Sequence, residues 1–268
     1  MGTLLKYETW PSVTAFSTTR LSPIANISAE ELAAMGNYAA FNVTHYCGDS
    51  PERVIRNKRW LCEELNISEQ QLWLPRQTHT DNILCVDQAL VQSSFEMRNE
   101  KMQNVDALIT NMAHQCIGVS TADCIPILIV DNAHHAVAAI HAGWRGTVKK
   151  IALKTLQKMS TTYGTDAKTC SAIIGPGISV DAFEVGHEVV DAFKQAGFND
   201  NIFQYRPYAK PHIDLWAANA FLLEQAGVPL QNIQVAGICT YKHYDTFFSA
   251  RRLGIQSGRI FTAIMLNN

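Results

Sequence analysis

Charged residues are scarce in this 268-residue chain, and the two signs nearly balance. They form 17% of the sequence, against about 25% in an average globular protein. The 22 Lys and Arg and the 24 Asp and Glu leave a formal net charge of −2. This lack of a basic excess argues against a dedicated binder of nucleic acid or acidic membranes. Hydrophobic residues reach 47%, which excludes a disordered chain and allows a sizeable core.

Paired ligand motifs and long apolar segments are missing as well. The seven cysteines are odd in number and scattered, without a Cys-x-x-Cys, so neither a disulfide framework nor a zinc ribbon fits. The nine histidines contain no His-x-His, which argues against a four-copper oxidase. The first residues lack a signal-peptide core, and the longest apolar runs fall far short of the roughly 18 residues of a membrane span. We therefore expect a cytoplasmic protein with reduced cysteines.

The pattern of secondary structure predicts the α+β class. Four helices are indicated by N-cap residues followed by apolar residues at helical spacing. Their caps and ends are Ser28 and Gly36, Ser50 and Leu65, Thr147 and Gly164, and Asp214 and Ala226. Strands rich in Val and Ile are predicted at 71–74, 82–86, 107–110, 116–120, 125–130, 136–141, 171–174, 233–239 and 259–266. Because strands occur both in succession and between helices, we expect one domain, residues 1–268, with a central mixed sheet covered by helices.

Two consecutive strands carry the most reactive side chains. The predicted strand after Cys124 and the predicted strand that ends at His141 are joined by a turn centred on residues 132 and 133. In such an antiparallel hairpin Cys124 and His141 are directly opposed, with Cβ atoms about 5 Å apart. His79 lies far upstream, so only the fold can bring it near.

This spacing leaves two kinds of chemistry open. One Cys and two His form a known ligand set of catalytic zinc, with the fourth position open to water. Without His79, Cys124 and His141 form a nucleophilic pair. A single Cys or His in a strand is more often simple packing, but Asp123 beside Cys124 and the Gly-Trp-Arg-Gly turn after His141 favour a functional site.

Strings around these residues resemble the YfiH-like family. They are Gln77-Thr78-His79, Thr121-Ala122-Asp123-Cys124-Ile125-Pro126 and Ile140-His141-Ala142-Gly143-Trp144-Arg145-Gly146. Further matches follow in the family's order, from Phe16-Ser17-Thr18 to Phe247-Phe248-Ser249-Ala250-Arg251-Arg252. One departure is Thr19-Arg20-Leu21-Ser22-Pro23, which stands where the family usually has an Arg-Gly-Gly loop.

The resemblance implies a layered α/β/α domain similar to that of the cytotoxic necrotizing factor toxins, which are cysteine hydrolases. It also implies a zinc site formed by His79, Cys124 and His141, with copper as the alternative metal. The family has long been labelled polyphenol oxidase or laccase domain, and its members are regarded as purine nucleoside phosphorylases. The implied activities are phosphorolysis of adenosine, inosine, guanosine and methylthioadenosine, and deamination of adenosine. Some relatives are described as editing a UDP-muramyl-L-Ser precursor of peptidoglycan.

On the basis of this resemblance we predict roles for several residues. Cys124, His141 and Asp123 are the predicted catalytic residues, with Asp123 as a general base or as a residue that orients a ligand. A zinc-bound water would have its pKa lowered to about 7 and supply the nucleophile. Guanidinium groups bind phosphate in bidentate fashion, and amides hydrogen-bond a base or a ribose. The predicted substrate-binding residues are Asn42, Gln77, Arg145 and Arg251.

Three functions therefore remain open. The first is a zinc-dependent purine nucleoside phosphorylase and adenosine deaminase, whose partners are a purine nucleoside and phosphate. The second is an amide hydrolase that uses Cys124 and His141 or the metal, for example on the muramyl precursor. The third is a binder of nucleotide precursors without catalysis. Weak phenol oxidation with adventitious copper is compatible with the ligand set, whereas a true laccase is not.

Overall fold

Thirteen strands and nine helices are formed by the part of the chain that the structure describes. It is a computed structural model that describes residues 2–24, 27–205, 207 and 209–268. The strands are β1 Leu4–Lys6, β2 Val13–Thr18, β3 Leu72–Trp73, β4 Ile83–Cys85, β5 Ala107–Thr110, β6 Cys116–Thr121, β7 Ile125–Asp131, β8 Ala136–Ala142, β9 Ser171–Ile174, β10 Phe203–Gln204, β11 His212–Ile213, β12 Ile233–Val235 and β13 Ile260–Leu266. The helices are α1 Ala29–Met35, α2 Pro51–Leu65, α3 Gln88–Val91, α4 Phe95–Lys101, α5 Trp144–Val148, α6 Ile151–Tyr163, α7 His187–Gln195, α8 Leu215–Gln225 and α9 Ala250–Leu253.

The larger strands form two mixed sheets that pack against each other. The first has the order β1-β2-β13-β6-β3 and the second the order β12-β9-β7-β8-β5-β4. Alternate residues of β7 point in opposite directions: Leu128 and Val130 pack between the sheets, whereas Ile127 and Ile129 pack on the other side of the second sheet. Because both faces of the second sheet are covered, all seven residues of β7 are buried.

Helices cover the two outer faces. On the second sheet lie α6, α7 and α8, which contribute buried residues such as Leu156, Phe193 and Leu222. On the first sheet Leu61 of α2 packs with Phe16 and Phe41. The predicted α+β class, with helices over mixed sheets, is confirmed, but two stacked sheets replace the single central sheet that we expected.

The second sheet arises from a break that the strand pattern does not reveal. β6 ends at Thr121 and pairs with β13, whereas β7 begins at Ile125 and pairs with β8. Between them Asp123 adopts a φ of +87°, a conformation that is uncommon for residues other than glycine. The chain therefore passes from one sheet to the other at residues 122–124, which places Cys124 at the crossing point.

The predicted hairpin forms, but its register was wrong. His141 lies opposite Pro126 rather than Cys124, and Asp131 lies opposite Ala136. The physical reason is a longer turn: the Asp131 carboxylate accepts hydrogen bonds from the backbone N–H groups of Ala133 (3.1 Å) and His134 (3.2 Å). Residues 132–135 therefore all lie outside the paired strands. As a result, every pair of opposed residues is shifted relative to the predicted register.

Helix predictions were right for three segments, and for the fourth only the start was wrong, since α6 has the predicted Gly164 as its C-cap. The capped helices at 28–36, 50–65 and 214–226 are confirmed as α1, α2 and α8. The predicted helix after Thr147 is two helices, because Lys150 has a φ of +61° and interrupts the regular turn. Thr147 lies inside α5, where its hydroxyl donates to the Gly143 carbonyl at 3.1 Å. Among the residues with described positions, no helix is long and apolar enough to cross a membrane.

The remaining differences concern the ends of the chain and short elements. The strands at 107–110 and 171–174 are confirmed as β5 and β9, whereas β12 ends at Val235, well before Cys239. The sequence reading missed β1 and β2, which form an antiparallel pair at the edge of the first sheet.

Packing between the two sheets should dominate the stability of the protein. Leu128 is fully buried there, whereas Leu230 is 63% exposed. We expect Leu128→Ala to lower the free energy of unfolding by about 2–5 kcal/mol, because the removed methyl groups leave a cavity. Leu230→Ala is the matched control and should change it by about 0.5 kcal/mol at most. Guanidinium unfolding followed by circular dichroism measures both values, and equal effects would contradict the stacked-sheet core.

Candidate metal centre

His79, Cys124 and His141 meet at the point where the chain crosses between the sheets. Their ligand atoms all lie within 4.8 Å of one another. Nε2 of His79 is 3.8 Å from Sγ of Cys124, and the centroids of the two imidazole rings are 4.9 Å apart. A tetrahedral ion bound at about 2.3 Å to sulfur and about 2.0–2.1 Å to nitrogen separates those atoms by about 3.6 Å. The observed spacing therefore fits a bound metal ion.

The carboxylate of Asp106 orients two of these three residues. Its Oδ1 accepts a hydrogen bond from Nδ1 of His141 at 2.7 Å and from the His79 backbone N–H at 3.1 Å. Its Oδ2 accepts from the backbone N–H of Thr80 at 2.7 Å and from the Thr80 hydroxyl at 2.6 Å. With Nδ1 occupied, His141 is left with Nε2 as its ligand atom, as in the carboxylate–histidine arrangements common at zinc sites.

Charge within the cluster favours the ionised forms. Burial disfavours the charged form of Asp106, but the hydrogen bond and charge of His141 prevail and lower its pKa to about 2. Burial likewise opposes ionisation of Cys124, yet the charge and hydrogen bond of His141, aided by His79, lower its pKa to about 6. The pKa of His141 is raised by Cys124 and Asp106 against the effect of burial. A thiolate is the form that binds metal or attacks an electrophile.

Gly143 leaves the space that the cluster occupies. A Cβ atom at this position would lie 2.9 Å from Sγ of Cys124 and 3.0 Å from Cδ2 of His79. Such contacts are shorter than van der Waals separations, so a larger residue would displace the ligands. Gly143 is therefore required because it has no side chain, and not because a turn needs a positive φ at this position.

The three residues of the cluster differ in their exposure to solvent. His141 is buried, Cys124 is half-buried and His79 is exposed. His79 adopts a φ of +62°, and its backbone is held by Asp106. The cluster is therefore anchored on the side of β8 and is open to solvent on the side of His79.

Asp123 joins the cluster to neighbouring loops. Its Oδ1 accepts a hydrogen bond from the Thr240 hydroxyl at 2.7 Å, and its Oδ2 accepts one from the Arg251 backbone N–H at 2.7 Å. The carboxylate thus holds the start of α9 next to Cys124. A general-base role for Asp123 stays a prediction.

The two predicted amide ligands hold loops together. The Asn42 side chain donates to Asp49 at 2.9 Å and accepts from the Arg259 backbone N–H at 3.1 Å. The Gln77 amide donates to the Ser120 carbonyl at 2.8 Å and accepts from its N–H at 2.7 Å. These bonds account for both amides without a substrate, and their contact with a substrate stays a prediction.

The two predicted arginine ligands differ in how they are held. Arg251 donates to the Glu184 carbonyl at 3.2 Å and lies 5.6 Å from the centroid of the Phe183 ring. Arg145 is exposed on α5, with its guanidinium 4.3 Å from the centroid of the Trp144 ring. Arg145 makes no ion pair with any residue that the structure describes, which leaves its guanidinium available to an anion.

Asp106 was missed by sequence reasoning. It directly precedes β5, but a single Asp before a strand is a common cap, and its partners lie far away in the chain. Thr80, whose N–H and hydroxyl both bind Asp106, was missed for the same reason.

Comparison with known proteins places the chain in a family. Residues 28–267 match the family described as multi-copper polyphenol oxidoreductase laccase. The chain belongs to this family. It is 47% identical to the purine nucleoside phosphorylase of Bacteroides thetaiotaomicron over 87% of each chain. It is 41% identical to adenosine deaminase RL5 of an unknown prokaryotic organism, over 94% of this chain and 93% of the relative.

A solved structure extends the agreement to the fold. The hypothetical protein YfiH of Bacillus licheniformis superposes with a TM-score of 0.88 at 26% identity, covering 99% of this chain and 97% of that one. The resemblance to the YfiH-like family is confirmed. The name of the family refers to several coppers, whereas the described residues contain a single group of three or more suitable ligands, His79, Cys124 and His141.

In the metal-free protein Cys124 should be the most reactive thiol. A pKa of about 6 means that the thiolate predominates at pH 7 and is lost as the pH falls through that value. Burial raises the pKa of Cys85, which is also half-buried and serves as the control. We expect iodoacetamide at pH 7 to modify Cys124 first, with a rate that rises through pH 6, as measured by mass spectrometry. Equal rates at the two cysteines would contradict the electrostatics described above.

Asp106→Asn should weaken metal binding, because the amide oxygen lacks the charge that orients His141 and stabilises its Nδ1–H form. We expect a loss of about 10–100-fold in zinc affinity, measured by competition with a chelator. The matched control is Asp131→Asn, which removes another fully buried carboxylate that accepts from a histidine Nδ1, that of His134 at 2.8 Å. A similar loss of affinity in both variants would show that general destabilisation, rather than orientation of His141, is responsible.

Proposed function

We propose that this protein is a zinc-dependent purine nucleoside phosphorylase that also deaminates adenosine. The observation that carries the proposal is the cluster of His79, Cys124 and His141 with Asp106 behind it. The names of two relatives with 47% and 41% identity, a purine nucleoside phosphorylase and an adenosine deaminase, support the same substrate class.

The ligand set determines which chemistry the site offers. Zinc, when bound, would lower the pKa of a coordinated water to about 7 and polarise an attached oxygen. Cys124 contributes a thiolate, His141 contributes Nε2 fixed by Asp106, and His79 closes the set on the solvent side. A substrate would approach from the side of His79, because His141 is buried and lies on the opposite side.

Phosphorolysis also requires an anion site and stabilisation of positive charge on the ribose. Arg145 is our candidate for the phosphate, because its guanidinium is exposed four residues after His141 and free of ion pairs within the described chain. Guanidinium groups match phosphate oxygens in bidentate geometry. Arg251, held by backbone carbonyls, is better suited to shaping the wall of the site next to Asp123.

An amide hydrolase is the second candidate, and a specific observation favours it. Cys124, His141 and Asp106 form a thiol–imidazole–carboxylate chain, with a lowered cysteine pKa and a 2.7 Å bond between His141 and Asp106. Nucleophile, base and orienting carboxylate in this order are the elements of cysteine hydrolysis. An amide such as that of a UDP-muramyl-L-Ser precursor would be the substrate.

Incubation of the purified protein with adenosine and phosphate tests the first candidate. We expect adenine, ribose-1-phosphate and inosine, resolved by liquid chromatography, together with stoichiometric zinc by elemental analysis. Cys124→Ala should lose both the zinc and the turnover, since the thiolate is a ligand. Cys85→Ala is the control, because Cys85 is half-buried and its thiol forms a hydrogen bond only with the Tyr163 hydroxyl in the described structure.

The outcomes separate the two candidates. Turnover of adenosine that disappears on chelation and returns with zinc supports the phosphorylase and deaminase. Hydrolysis of UDP-muramyl-L-Ser that survives complete chelation, with no turnover of nucleosides, would support the cysteine hydrolase instead. Unchanged zinc content in Cys124→Ala would overturn the proposed ligand set.

A further inference from the structure

A cavity of about 610 Å3 lies at the edge of the first sheet. Its walls come from β3, which is the edge strand, from α2 and α4, and from the loop that carries His45. This volume is within the range of about 300–1,000 Å3 that is usual for small-molecule sites. None of the residues of the candidate metal centre lines it, so it is a separate site.

Positive charge is concentrated in this cavity. Lys58 and Arg98 line it, and Glu69 is the one carboxylate among its lining residues. Glu69 is half exposed and its nearest ion pair is with Arg59 at 3.5 Å. Lys58 makes no hydrogen bond or ion pair with the residues described, although it is partly buried. Partial burial of an unpaired ammonium is unfavourable, and an anion bound beside it would offset this.

Burial makes positive charge unfavourable at two of the lining residues. Burial, and then the charges of Lys58 and Arg76, lower the pKa of His45. Burial also lowers the pKa of Lys58, and the charge of Glu69 only partly counteracts this. Both shifts have the direction expected for cationic groups withdrawn from water, and the lowered pKa leaves His45 as a neutral imidazole at pH 7.

Arg98 makes the wall of the cavity rigid. Its guanidinium donates to the carbonyls of Gln70 and Val91 and lies 5.2 Å from the centroid of the Trp73 ring. Its Nε is buried and has no hydrogen-bond partner in the described part of the chain. Arg98 thus fixes α4 against β3 and adds a positive charge that cannot move away.

An aromatic and apolar surface faces the same space. Phe95, the first residue of α4, is 73% exposed and lines the cavity with Leu72, Leu74 and Met102. An exposed phenyl ring beside cations suits a ligand that has both a flat ring and a phosphate, because rings stack on aromatic side chains and phosphate forms charge-assisted hydrogen bonds with lysine.

We propose that this cavity binds a mononucleotide, with its phosphate on Lys58 and its base against Phe95. Arg98 supplies the surrounding positive potential. The site is independent of the proposed function, because it shares no residue with the metal centre and the inference does not require turnover of nucleosides.

Isothermal titration calorimetry with AMP tests this site. We expect saturable binding to the wild-type protein that Lys58→Gln weakens by about tenfold or more, because a charge-assisted hydrogen bond is lost. Arg56→Gln is the matched control: it removes a positive charge from an exposed position of the same helix, outside the cavity. It should leave the dissociation constant within about twofold. Phe95→Ala should also weaken AMP, and the exposure of this ring makes misfolding an implausible cause.

Further titrations locate and define the ligand. Cys124→Ala should bind AMP as the wild type does, since the metal centre is elsewhere. Inorganic phosphate and adenosine should each show weaker Lys58-dependent binding than AMP, because each satisfies only half of the cavity; binding that persists in Lys58→Gln is assigned to the metal centre. Absence of saturable binding at millimolar AMP, equal affinity in Lys58→Gln, or loss of binding in Cys124→Ala would overturn the proposal. Phosphate or adenosine alone showing Lys58-dependent binding as tight as that of AMP would overturn the mononucleotide class.

Discussion

The buried carboxylate of Asp106 is the group on which the candidate metal centre and its surroundings depend. A buried carboxylate without donors would take up a proton, but here His141, the Thr80 hydroxyl and the backbone of residues 78–80 all donate to it. The donors come from β8 and from the loop of His79, two segments that are distant in the sequence. The interaction that keeps Asp106 ionised is therefore the same one that brings two of the three residues of the candidate metal centre together. Its loss would change the fold of the loop and the chemistry of the site at once.

His79 and the residue before Cys124 also have unusual backbone conformations. His79 has a φ of +62°, and Asp123, which precedes Cys124, has a φ of +87°. Such conformations of non-glycine residues cost on the order of 1–3 kcal/mol and persist only where the surroundings hold them. Asp106 holds His79 through its N–H, and the Thr240 hydroxyl holds Asp123 through its carboxylate. The break between the two sheets is thus directly connected to the presentation of the thiol, and packing of the sheets supports the strained segment.

Periodicity and local motifs predict the parts of this protein that depend on short-range chemistry. The capping box at Ser28 and the helix cap at Asp214 are satisfied within four residues of the chain, and both were predicted correctly. The register of the hairpin depends on how Asp131 bonds the turn, and the break at Lys150 depends on one backbone angle; neither has a periodic signal. The separation into two sheets was missed because strands buried on both faces show no alternation, so the sequence does not reveal which face meets which partner. The three residues of the candidate metal centre could be proposed from the sequence because reactive side chains in specific strings are visible without any knowledge of contacts.

Polar residues near the site show why a role in binding is harder to predict than a role in coordination. Asn42 and Gln77 carry the donors and acceptors that a nucleoside would need, yet their amides are engaged by Arg259 and Ser120. The same side chain can bind a substrate or fix a loop, and only its neighbours decide between these roles. A cluster of Cys and His differs, because three groups that share one small space with a carboxylate behind them have few structural uses. The described contacts therefore distinguish the candidate metal-ligand atoms and the guanidinium of Arg145, which have no such structural partners, from the amides, which maintain the scaffold around them.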